Sequence, residues 1–111
     1  MQHHPFVFFV HLKAQTSWLK LPRDERNRIV ATEIGPLLAK YPEIHHEHFD
    51  AEAFSGSVSD IETFRTPDPR RFYHLWEEIR DSSLVAEGHF EVVAILPAIA
   101  DGFREFEATG T

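Results

Sequence analysis

Two short apolar runs, one near each end of the chain, constrain the fold more than any other feature of the sequence. The first is Phe6 to Lys13, led by Phe6-Val7-Phe8-Phe9-Val10, and the second is His89 to Leu96, with Phe90, Val92, Val93 and Ile95. Both are strand-length and rich in Phe, Val and Ile, which favours buried strands over helices. Both carry apolar groups on their two faces. Such a strand needs cover on both sides, so the chain must build at least two layers around it.

The segments between supply the rest. Arg23 to Lys40 reads as a helix, with Pro22 at its start, Asp24 and Glu25 in the first turn, and Ile29, Val30, Ile34, Leu37, Leu38 and Tyr41 on one stripe. Gly35-Pro36 is expected to kink or break it. Ile44 to Phe54 reads as a strand, Ser55-Gly56 as a tight hairpin turn and Ser57 to Thr66 as its antiparallel partner. Asp68 is a good N-cap and Pro69 a good first residue for a second helix striped by Phe72, Leu75, Trp76 and Ile79. Pro97 is expected to end the last strand, and Ile99, Phe103 and Phe106 to stripe a short C-terminal helix over 98–107. The order β-α-β-β-α-β predicts an α+β, ferredoxin-like sandwich. The 111 residues suit a single domain, 1–111. Both helices lie on one face of such a sheet, and the other face has no cover within the chain.

Charge and composition exclude some partners. Eleven Lys and Arg against 18 Asp and Glu give a net charge of -7, with no basic patch, which argues against nucleic acid and against an anionic membrane surface. There is no Cys, so disulfides, thiolate nucleophiles and cysteine-ligated metals are excluded. No basic stretch precedes Phe6, Lys13 ends the apolar run, and the run is far too short to span a bilayer. A cytoplasmic protein is expected. No glycine-rich phosphate loop is present, and no cofactor is expected.

The densest cluster of chemically capable side chains is His45-His46-Glu47-His48-Phe49-Asp50-Ala51-Glu52. In a strand, His46, His48, Asp50 and Glu52 share one face, a donor set that suits zinc, iron or manganese. A two-residue turn at Ser55-Gly56 sets His46 opposite Arg65, His48 opposite Thr63 and Asp50 opposite Ile61. An Arg beside a His ligand disfavours a cation and suits an anionic group. No metal site is therefore expected, and a solvated strand face is the plainer reading. His3-His4 reads as a frayed terminus. His11, at the end of the first strand, is a candidate acid or base at a cavity mouth. Trp18 is a candidate dimer contact, loop anchor or pocket wall, and Trp76 lies in a helical core stripe. The ligand-binding candidates are thus His11, Trp18, His46, His48, Asp50 and Arg65. No catalytic residue is assigned.

The strings Phe49-Asp50-Ala51-Glu52-Ala53-Phe54-Ser55-Gly56, Ser59-Asp60-Ile61 and Pro97-Ala98-Ile99-Ala100-Asp101-Gly102-Phe103-Arg104-Glu105 resemble the darcynin family. So do Trp76-Glu77-Glu78-Ile79-Arg80-Asp81-Ser82 and Arg23-Asp24-Glu25-Arg26-Asn27. The resemblance covers nearly the whole chain. It implies a small bacterial protein with no established activity and a dimeric α+β barrel, an architecture shared by cofactor-free monooxygenases, isomerases and heme-handling enzymes.

Together these readings predict a homodimer paired through the uncovered sheet face, with a small apolar or aromatic molecule bound in a cavity on that face. The alternatives are a non-catalytic dimerisation or interaction domain, and a cofactor-free monooxygenase- or isomerase-like enzyme.

Overall fold

A computed structural model of the chain describes residues 5–109. Strand β1 (Phe6–Ala14) runs through the middle of a four-stranded antiparallel sheet of order β2-β3-β1-β4. The other strands are β2 (His45–Asp50), β3 (Asp60–Thr66) and β4 (Phe90–Ile99). The helices are α1 (Thr16–Leu19), α2 (Arg23–Ile29), α3 (Gly35–Lys40), α4 (Pro69–Arg80), α5 (Ser83–Ala86) and α6 (Gly102–Ala108). The expected α+β, ferredoxin-like order is present, with β1 central as expected, while β4, also apolar on both faces, lies at an edge. Among the described residues, no helix is long and apolar enough to cross a membrane.

Alternation along β1 decides what meets the helices. Phe6, Phe8, Val10 and Leu12 point toward them. Phe8 and Val10 join Phe64 of β3 and Phe72, Leu75 and Ile79 of α4 in the core, closed by Tyr41 and Ile44. The Phe8 and Phe72 rings stack with centroids 3.9 Å apart. Asp68 caps α4 by accepting a hydrogen bond from the Arg70 N–H at 2.9 Å, with Pro69 in the first turn. On the opposite face, Val7 is buried, whereas Phe9, Phe49 and Leu96 stay 37%, 47% and 50% exposed.

Four local features depart from the sequence expectations. The long first helix does not break at Gly35-Pro36. A π-helical turn over Val30–Ile34 joins α2 to α3, re-registering the backbone just ahead of the residue that lacks an N–H. Strand β4 does not stop before Pro97. It continues to Ile99 with Pro97 opposite Phe8, which an edge strand tolerates because only one of its sides pairs. The C-terminal helix accordingly begins at Gly102. Pairing between β1 and β4 shifts between His11 and Leu12. This bulge puts Ile95 on the helix side with Phe90 and Val92, where strict alternation from Phe90 would turn it away. Finally, β2 and β3 are joined by a loop over residues 51–59, not a two-residue turn. It turns on Ala51, whose carbonyl accepts from the N–H groups of Phe54 and Ser55, and it closes where the Ala51 N–H reaches the Ser59 carbonyl.

Candidate functional site

The longer β2–β3 loop moves the register of the hairpin by one. His45 faces Arg65, His46 faces Phe64, His48 faces Glu62 and Asp50 faces Asp60. Arg65 therefore does not stand beside His46. A slip of one residue sends it to the other side of the sheet, where it is exposed between His45 and Val7. The helix-facing row of β3 is instead Asp60, Glu62 and Phe64, and it brings two carboxylates to the histidines of β2.

The outcome is a connected polar cluster. His46 Nε2 lies 2.7 Å from Glu62 Oε1, and His48 Nδ1 lies 2.5 Å from Glu62 Oε2. His48 Nε2 lies 2.8 Å from Asp50 Oδ1 and 3.7 Å from Asp60 Oδ1. Burial works to lower the His48 value, but hydrogen bonds to Asp50 and Glu62 and the charges of both carboxylates outweigh it and push it up to about 9. Burial raises the Asp60 carboxyl, with a hydrogen bond from Ser59 opposing it. Glu52, expected on the same face, lies beyond the end of β2 in the loop and lines a different cavity.

An apolar cavity of about 430 Å³ lies against this cluster, between the sheet and the helices. Leu12, Phe64 and Phe90 form its floor, and Val30, Ala31, Ile34 and Leu38 its roof. Trp76 and Ile79 of α4, Val85 of α5 and Trp18 of α1 close its sides. The polar groups on its wall are His46, His48, Asp60 and Glu62. The π turn supplies three of the roof residues. Glu33 of the same turn ties it to α5, accepting from the Ser83 N–H at 2.9 Å and the Ser83 hydroxyl at 2.6 Å. This apolar cavity is on the helix side of the sheet, whereas the sequence reading expects one on the open face. The core gathers over Phe8, Val10 and Phe64 beneath α4, while β2 stays largely exposed. A second cavity of about 420 Å³ opens past the end of β1, walled by Trp18, Arg23, Arg26, Asp50, Asp60 and the β2–β3 loop.

Of the sequence candidates, Trp18, His46, His48 and Asp50 come together around these two cavities. Trp18 is buried against His89 and Phe90, at 5.6 and 5.0 Å between ring centroids, and walls both cavities. His11 and Arg65 do not join them. His11 sits on the open face opposite Ile61 and Ala94. Trp76 serves as core, stacked against Phe72, and as cavity wall. Sequence reasoning missed Asp60 and Glu62. The signal was the alternation Asp60-Ile61-Glu62-Thr63-Phe64, which places both carboxylates on the face of a core Phe. His3-His4 lies outside the described residues.

A family model described as "Darcynin, domain of unknown function" matches residues 2–109. The chain belongs to the darcynin family. A "Darcynin" of Chromobacterium violaceum is 48% identical over 73 residues, 66% of this chain and 92% of that one. A "Darcynin 1" of Acinetobacter baumannii is 38% identical over 90 residues, 81% and 100% of the two chains. Among solved structures, one titled as a novel heme-binding protein from Thermus thermophilus superposes with a TM-score of 0.80 at 18% identity, covering 100% of this chain and 46% of its own. A chlorite dismutase from Candidatus Nitrospira defluvii in complex with imidazole gives 0.77 at 15%, covering 91% and 42%. At these identities the likeness is one of fold. The chain spans less than half the length of either solved protein.

Proposed function

We propose that this darcynin-family chain binds a small, flat, mostly apolar molecule in the cavity between helices and sheet, and that it does so as a homodimer paired through the open sheet face. The observation that carries the reading is the cavity itself: about 430 Å³, walled by Leu, Ile, Val, Phe and Trp, with its polar groups gathered on the β2–β3 side. That volume is in the range of small-molecule sites, where apolar walls supply affinity and a few polar groups fix orientation. Two indole rings, Trp18 and Trp76, suit a planar guest. The fold neighbour titled as heme-binding supports testing a large flat molecule among the ligands.

The test is a thermal-shift screen with quinones, phenols, fatty acids and heme. A ligand at 100 times its Kd stabilises by ~2.7 kcal/mol. For a domain of this size that raises Tm by roughly 10–20 °C. Ile34→Trp, which fills the roof, is expected to abolish the shift while leaving the fold intact. Silence across the panel, or a shift that survives Ile34→Trp, would defeat the reading.

A further inference from the structure

We propose that His48, Asp50 and Asp60 form a binding site for a divalent transition-metal cation such as Zn²⁺, at the mouth of the apolar cavity. Four observations lead there. First, one nitrogen of His48 and one oxygen of each aspartate lie within 4.8 Å of one another. Metal–ligand distances of ~2.1 Å put neighbouring ligands roughly 3.0–3.4 Å apart in octahedral or tetrahedral geometry. The separations of His48 Nε2 from the two aspartate oxygens, 2.8 and 3.7 Å, bracket that range.

Second, the imidazole is already oriented as a ligand. Its Nδ1 is engaged by Glu62 at 2.5 Å, which turns Nε2 toward Asp50 and Asp60. A carboxylate on the distal nitrogen of a metal-bound His fixes the tautomer and ring plane. Glu62 is held in turn by His46 at 2.7 Å. His46 and Glu62 are therefore positioning residues in this proposal.

Third, carboxylates crowd the imidazole. Asp50, Asp60 and Glu62 converge here, and among the described residues no Lys or Arg pairs with any of them. The objection raised by Arg65 disappears with the register, which sends that side chain to the opposite face. Fourth, His48 and Asp60 both wall the apolar cavity. Three protein ligands leave at least one coordination position for water or for an oxygen of a guest. One imidazole with two carboxylates suits Zn²⁺, Mn²⁺ or Fe²⁺ over soft, thiolate-seeking ions.

The experiment is equilibrium dialysis of the full chain against Zn²⁺ with elemental analysis, beside variants checked for folding by circular dichroism. About one equivalent is expected. His48→Ala is expected to weaken binding more than tenfold, and Glu62→Gln by about 10- to 100-fold, as for other residues that orient a ligand. His45→Ala, on the opposite face, and a His3→Ala/His4→Ala double variant leave it unchanged. Co²⁺ locates the site without any substitution, because its paramagnetism should shift the His48 imidazole resonances and spare those of His11. Substoichiometric zinc, equal retention by His48→Ala, or Co²⁺ shifts centred away from His48 would overturn the proposal. It stands apart from the cavity reading: zinc can bind with no organic guest, and a guest can bind with no zinc.

Discussion

Leu96→Asp isolates the open sheet face from everything else in the molecule. Leu96 pairs with Phe9 on that face and is 50% exposed, while Phe9 is 37% and Phe49 47% exposed. Burying a Leu or Phe completely is worth ~1.5–3 kcal/mol, so covering the exposed half of Leu96 contributes about 1 kcal/mol per subunit. A two-fold axis uses each contact twice. The substitution therefore removes about 2 kcal/mol from the dimer, which is roughly a 30-fold rise in its dissociation constant. The carboxylates it buries add to that loss. The subunit itself should change little, because the side chain already faces water in it. Sedimentation equilibrium on wild type and variant measures the effect. A wild type that stays monomeric at tens of micromolar, or a variant that dimerises as tightly as wild type, refutes the assignment of this face.

Other outcomes follow from the fold. The Ser83 hydroxyl and N–H hold the Glu33 carboxyl below its ordinary value. Its folded value is the depressed one, so its stabilisation is complete above pH ~4.5 and disappears as pH falls through the folded value. Ser83→Ala should cost about 1 kcal/mol near neutrality by urea denaturation and make the acid limb of the stability profile shallower. An unchanged acid limb would show that this clamp does not hold the cavity roof. Asp68→Ala removes the cap of α4 and should cost ~1 kcal/mol, read by the same denaturation. Leu75 is fully buried in the core, and Leu75→Ala should cost roughly 2–5 kcal/mol, a large fraction of a small domain's stability, read by the same denaturation.

How much was legible in the sequence differs between the scaffold and the site. The central strand, the capped start of α4 and the core residues Phe72, Leu75 and Ile79 follow from local rules of periodicity and capping, which act over a few residues. The hairpin register does not. It depended on whether the chain turns at Ser55-Gly56 or loops from Ala51 to Ser59, and Ser59 is fixed by bonds made only when β3 docks on β1, its N–H donating to the Leu12 carbonyl at 2.8 Å and its hydroxyl accepting from the Ala14 N–H at 2.7 Å. One residue of slip exchanged Arg65 for Glu62 and changed the electrostatics of the candidate site from mixed to acidic. The bulge beside His11 and the π turn before Pro36 were hidden for the same reason, since both answer to packing between elements. The helix-side cavity was not legible, because hydrophobic pattern tells which residues avoid water and says nothing about how completely the helices cover the sheet.

The most direct test of the central claim is to map a stabilising ligand by NMR on isotope-labelled protein. Binding between helices and sheet predicts the largest shift changes at Leu12, Ile34, Leu38, Phe64 and Trp76, with little at Phe9, Phe49 and Leu96. The reverse pattern, with changes centred on the open face and none around the helix-side cavity, would contradict it.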